Sequence, residues 1–186
     1  MTTLDSRAFR RTVGRFTTGV TVIAVEAAGE VHGMTANSFT SVSLDPMLVL
    51  FCVGKHSRTG ALLQKADGFS VSILNEQQQA LAAFFAGNWK EPSPPAFRFV
   101  PWNGGLRLDG CDAAIGCVVH QVHDAGDHWI LIGRVVALYD GPDSDGPLLF
   151  FKGHYRRMES DNGGRSGRGG AAPDEPPIDP FESEAI

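Results

Sequence analysis

The chain opens with a short helical period and then passes into strands. Residues 5–16 leave Leu4, Ala8, Phe9, Val13 and Phe16 for packing, with Asp5 or Ser6 as the cap and Gly14 weakening the end. Residues 19–27, GVTVIAVEA, read as a strand and residues 30–39, EVHGMTANSF, as its partner, with Ala27, Ala28 and Gly29 as turn material. Residues 46–53, PMLVLFCV, form a nearly continuous apolar run whose lack of alternation predicts a strand covered on both faces. A short helix is predicted over 57–65, a strand over 69–74, and a second helix over 76–85 that uses Leu81, Phe84 and Phe85 as apolar contacts. Residues 86–105 carry Trp89, Trp102 and prolines 92, 94, 95 and 101, a composition expected of a loop or lid. Residues 113–122 and 129–139 read as a long antiparallel hairpin joined through Asp124 to His128, and residues 148–155 as a last short strand. Strands of this length with only short helices between them predict a mainly β fold. A small closed β-barrel with peripheral helices is favoured over a doubly wound sheet.

The body and the end of the chain differ in composition. Residues 1–158 hold 14 basic and 14 acidic side chains, whereas residues 159–186 hold 2 basic and 7 acidic ones, so the net charge of −5 arises in the tail. The expected division is therefore one domain over 1–158 and a disordered tail rich in Gly, Pro and acids over 159–186. Pro180, Phe181 and Ile186 leave open a docked end. A neutral body lacks the basic footprint of a nucleic-acid binder, and no apolar run reaches transmembrane length. The odd count of three cysteines and the absence of a signal-like start give a cytoplasmic expectation. Cys52 and Cys117 lie in apolar runs, where a small buried thiol is expected rather than a nucleophile.

Candidate chemistry concentrates between Gly33 and Thr59. Thr35, Ser38, Thr40, Ser41, Ser43, Ser57 and Thr59 supply hydroxyls, Asn37 an amide, and Lys55 and Arg58 positive charge. Between two apolar strands, such a set suits a phosphorylated aromatic ligand; the competing reading is turn and strand-edge chemistry around Asp45-Pro46. Neither a P-loop nor a GxGxxG follows any strand, so a phosphate here is held largely by side chains, helped by amides near Ser57. His120 and His123 stand three apart on a strand and so face opposite ways. Cys111 and Cys117 lack zinc spacing, and no metal is expected. The scattered tryptophans are expected in core or lid packing.

Five quoted segments carry a family resemblance: Phe16-TTGVTVI, Gly33-MTANSFTSVSLDP, Ser57-x-Thr59, Phe69-SVSILNEQQQALAAFFAG and Gly126-DHWILIGRV, with Cys117 in its strand. In order and spacing the chain resembles, from about Phe9 to Met158, the short-chain flavin reductases of the FMN-binding split-barrel group, the reductase components of two-component flavin-dependent monooxygenases. The resemblance implies a Greek-key-like split β-barrel that transfers a hydride from NADH or NADPH to FMN or FAD and supplies reduced flavin to an oxygenase. It also implies a homodimer. By the same resemblance Thr35, Ala36, Asn37, Ser38, Ser41, Val42, Ser43 and Cys52 border the flavin, and Lys55, Ser57 and Thr59 its phosphate. Phe85 and Gly87 line the site, and His128 and Tyr155 stand toward the nicotinamide, His128 as the catalytic candidate. Hydride transfer asks little beyond placing two rings face to face, so the absence of an acid–base pair does not count against an enzyme. The rival reading is a flavin carrier, sensor or accessory module without turnover.

Overall fold

The computed structural model describes residues 4–142, 144 and 146–158; the expected tail over 159–186 lies outside the described residues. Helix α1 (Ser6–Val13) starts where Asp5 Oδ1 accepts from Ala8 N at 2.7 Å, which settles the cap on Asp5. Of this helix only Ala8 is buried. Phe9 and Phe16 are 63% and 76% exposed, so the apolar residues expected to pack inward instead form a surface wall.

Strand β1 (Thr18–Gly19) leads into β2 (Thr21–Ala27) and β3 (Glu30–Ala36), whose turn places Ala28 (φ 53°) and Gly29 (φ 77°) in the left-handed region that a two-residue hairpin turn demands. There follow β4 (Thr40–Leu44), β5 (Met47–Gly54), α2 (Arg58–Leu63), β6 (Gly68–Ile73), and a 3₁₀ turn (Glu76–Gln78) running into α3 (Gln79–Phe85). The chain continues with β7 (Phe99–Trp102), β8 (Gly105–Leu108), β9 (Ala113–Ala125), β10 (His128–Asp140), β11 (Leu149–Phe151) and β12 (His154–Arg156).

Seven of these strands make one antiparallel sheet in the order β3-β2-β6-β9-β10-β5-β4. The mainly β class with peripheral helices is as expected. The closed barrel is not, because β3 and β4 are the two edges and share no backbone ladder. The corner between β3 and β4 is fastened to β5 by Ser38, which accepts from Cys52 N at 3.0 Å and donates to Cys52 O at 3.3 Å.

Ile23, Phe51, Val71 and Leu131, from β2, β5, β6 and β10, are buried in one core cluster, and Val20, Val22, Leu74, Leu108 and Leu148 form a second with Ala82 of α3. Strand β5 alternates after all: Val49, Phe51 and Val53 are buried, while Leu48, Leu50 and Cys52 are half-buried. Its outer face is also apolar, which hid the period. The proline-rich segment ends in an ordered ribbon, β7–β8, where Pro101 is tolerated because each strand has only one partner. Ser70 Oγ donates to Leu106 O, and Leu108 N donates to Ser72 Oγ at 3.0 Å, which fixes the ribbon to β6. Trp89 Nε1 donates to Ser93 O at 2.8 Å and so ties the loop to itself.

Candidate functional site

The corner from Thr35 to Thr40 organises the site. Thr35 Oγ1 donates to Ala82 O at 2.8 Å and ties β3 to α3, while Ala36 is buried. Asn37 borders two clefts. The larger, about 820 Å³, lies between α1 and the corner and is lined by Phe9, Phe16, Thr18, Ser38 and Phe150 among others. The smaller, about 170 Å³, is shared with Thr35, Ala86, Asn88 and Tyr155. Burial pushes the Tyr155 phenol up, so it remains protonated and able to donate at neutral pH.

Ala86 also lines a third cleft of about 580 Å³ with His32, Gly33, Arg58, Phe85 and Gly87. Four phenylalanines, 84, 85, 97 and 99, build its apolar wall with ring centroids 4.9–5.8 Å apart. Glycine at 33 is required here, since a Cβ would stand 2.7 Å from Phe85 Cε1. Burial lowers the His32 pKa, reinforced by Arg58 and opposed by Glu30, so this wall presents neutral imidazole.

The loop from Gly54 to Thr59 carries the expected phosphate residues, but each is engaged within the chain. Ser57 caps α2, accepting from Gly60 N at 3.0 Å and donating to Gly54 O at 2.8 Å. Thr59 is 1% exposed, Lys55 Nζ sits 2.6 Å from Asp124 Oδ2, and Arg58 Nη2 sits 2.6 Å from Glu30 Oε1. His128 pairs with Gly54 in the ladder, and its Nε2 stands 4.0 Å from where a Cβ on Gly54 would lie, as does Ser57 Cβ. Its Nδ1 lies 2.7 Å from Asp127 Oδ1, and the hydrogen bond from His128 holds the Asp127 carboxyl below its usual range. A carboxylate only accepts, so the shared proton is on Nδ1 and Nε2 faces the loop.

The fold therefore brings Thr35, Asn37, Ser38 and Tyr155 around two adjoining clefts, and Phe85 with Gly87 onto a third that shares Ala86. Tyr155 lines one of these three clefts and His128 none, and Ser41, Val42 and Ser43 lie on the edge strand β4 outside all three. Sequence reasoning missed Phe9, Thr17, Thr18 and Phe150 as cleft residues, and Asp124 and Trp129 as partners of Lys55. The hydroxyls of Phe16-Thr-Thr-Gly were the available signal. The Lys55 partners come from a ladder that no local pattern reveals.

These walls suit a flavin. Its ring needs apolar surface with donors at the rim, and Thr18 Oγ1 is buried at the 820 Å³ cleft without a hydrogen-bond partner. Among the described residues no cluster suits a metal, and no helix is long and apolar enough to cross a membrane.

All three cysteines are free, and burial pushes the Cys117 thiol up to about 12, which makes it a poor nucleophile as expected, and also raises that of Cys111. Cys52 is half-buried, its backbone bonded to the Ser38 hydroxyl, and so is less enclosed than the buried thiol expected there. A native Ellman titration is expected to release about one thiol rapidly and three in guanidinium, with flavin slowing the first. Two or three fast thiols in the native protein would contradict this burial.

The flavin reductase like domain model matches residues 13–159. The reductase subunit HsaB of a flavin-dependent monooxygenase from Rhodococcus jostii (strain RHA1) is 39% identical over 162 residues, covering 85% of this chain and 80% of that protein. An NADH-dependent FAD reductase from Streptomyces globisporus is 40% identical over 162 residues, covering 84% and 88%. Among solved structures, flavin reductase PheA2 in its native state superposes with a TM-score of 0.79 at 39% identity, over 84% of this chain and all of that one. With match and geometry in agreement, the chain belongs to the flavin reductase-like family, whose relatives here include reductase components of two-component flavin monooxygenase systems.

Proposed function

We propose that the corner Thr35–Ser38 and the clefts on either side of it hold the flavin and the nicotinamide against each other. The protein is an NAD(P)H-dependent flavin reductase that supplies reduced flavin to a partner monooxygenase. The observation that carries the site reading is Asn37, which borders both the cleft beside α1 and the Tyr155 cleft at a corner fastened to β5 by Ser38. A bound flavin supplies a ring that accepts a hydride from NAD(P)H, chemistry no side chain of this protein can perform.

The chain's own part is placement. Phe9, Phe16 and Phe150 offer apolar surface for a planar ring, and Thr18, Asn37 and Ser38 offer hydrogen-bonding groups at its rim. The β3 to β5 fastening holds Ser38 and Cys52 in fixed register beside that ring. Lys55, Ser57 and Thr59 are the residues assigned to the phosphate, reached by exchanging their internal partners. The phenylalanine cleft beside Arg58 is assigned to the adenosine half of FAD, and the FAD and NADH in the name of the Streptomyces globisporus relative support that pair first.

The finer architecture fits a split barrel, a curled sheet whose unjoined edges β3 and β4 meet at the Ser38 corner. A homodimer is the assembly proposed: β4 is an unpaired edge, and Val42, Leu44 and Met47 expose 42%, 59% and 50% of their surfaces beside it. A soluble cytoplasmic setting accords with a diffusible product.

The decisive measurement is steady-state oxidation of NADH and NADPH with FMN, FAD and riboflavin supplied in turn, after checking the purified protein for retained yellow chromophore. Rapid nicotinamide oxidation only when free flavin is added is expected, with NADH and FAD giving the highest kcat/KM. Tight flavin retention without nicotinamide oxidation would instead establish the binding-module reading.

A further inference from the structure

We propose that Asp124 is a built-in stand-in for the flavin phosphate: it holds Lys55 while the site is empty and yields it when a phosphate arrives, which makes flavin easier to release. The inference rests on the reading that Lys55 meets the phosphate, and adds a residue acting through it.

Ladder geometry brings the two together. Trp129 of β10 stands opposite Asp124 of β9 on one side and Val53 of β5 on the other. Lys55 stands in the turn just past the end of β5, next to this row. Its backbone N–H donates to Asp127 O at 3.0 Å, which fixes the start of the side chain. From there Nζ reaches Asp124 Oδ2 at 2.6 Å and lies 4.5 Å from the centre of the Trp129 ring. The lysine is thus held by one oxyanion and one aromatic face, with its side chain only 22% exposed. Its partner carboxylate is 64% exposed and is held below its usual range chiefly by the lysine hydrogen bond, so it stays charged wherever the enzyme works.

Carboxylate and phosphate compete for the same ammonium donors. An exposed pair of this kind is weak, and its rupture costs the incoming ligand a small factor rather than a prohibitive one. That suits a reductase whose product must leave. Asp124 is therefore a positioning residue, and its effect is confined to ligands that carry a phosphate.

The test is equilibrium titration of FMN and riboflavin by flavin fluorescence in wild type, Asp124→Asn, Lys55→Met and the double variant, with near-ultraviolet circular dichroism confirming the fold. Asp124→Asn is expected to tighten FMN by about three- to fivefold, the range of an exposed ion pair, and to leave riboflavin unchanged. In the Lys55→Met background the gain is expected to vanish. An unchanged FMN constant in Asp124→Asn, an equal gain for riboflavin, or a gain that survives loss of Lys55 would each overturn the inference. If Lys55→Met itself weakens FMN no more than riboflavin, the phosphate assignment of Lys55 falls, and this inference with it.

Discussion

Replacing His128 with alanine is expected to lower kcat by about a hundredfold while the flavin dissociation constant moves less than twofold, the loss typical of removing one aligned electrostatic donor. The expectation follows from how the ring is held. Asp127 accepts from Nδ1 at 2.7 Å, and Nε2 is directed at the loop that carries Lys55 and Ser57. As an imidazolium the ring would offer a second donor, Nε2–H, to negative charge developing on a bound flavin, without having to remove a proton. Stopped-flow hydride transfer separates this from binding. Wild-type rates in His128→Ala would remove the residue from the chemistry and leave the ladder partnership with Gly54 as its whole role.

The second large effect is on stability. Phe51→Ala is expected to cost about 3–5 kcal/mol, as for other fully buried aromatic truncations. The side chain is 0% exposed and meets Phe69 edge to face with ring centroids 5.0 Å apart. Residues on β2, β3, β6, β9 and β10 of the same sheet share the cluster, so collapse onto the void would have to move strands rather than side chains. Guanidinium unfolding read by tryptophan fluorescence measures it. A loss below about 1 kcal/mol would mean that the core repacks, contrary to the rigidity ascribed to it here.

Legibility in the sequence followed the range of the interaction. The Asp5 cap, the Ala28-Gly29 turn, the hairpin through Gly126-Asp127 and the Ser57 cap are all set by neighbours a few residues apart, and the pattern shows them. Strand β4 was missed because its residues are mostly exposed and it has one partner, so Thr40-Ser-Val-Ser-Leu resembles a loop. The β7–β8 ribbon was hidden by Pro101, a residue that argues against a strand until the ribbon is known to be only two strands wide. Thr35, Asn37 and Ser38 were singled out by composition and resemblance together, and the fold brings them to one corner. That Thr59 is buried, that Lys55 already has a carboxylate, and that α1 walls a cleft against the Ser38 corner all depend on contacts spanning many residues.

Where the β7–β8 ribbon passes β9, Gly104 lies against Gly116. A Cβ on Gly116 would come within 2.6 Å of Gly104 O, and backbone cannot step aside as a side chain does. Sliding the ribbon by one residue along β9 would bring a larger residue into that space, so the pair acts as an index mark for its position. Residues 88–98 then run between two fixed points, the end of α3 and the keyed ribbon. Their length is free to differ while both ends stay where they are, which makes this stretch the place where the chain can accept an insertion without disturbing the sheet.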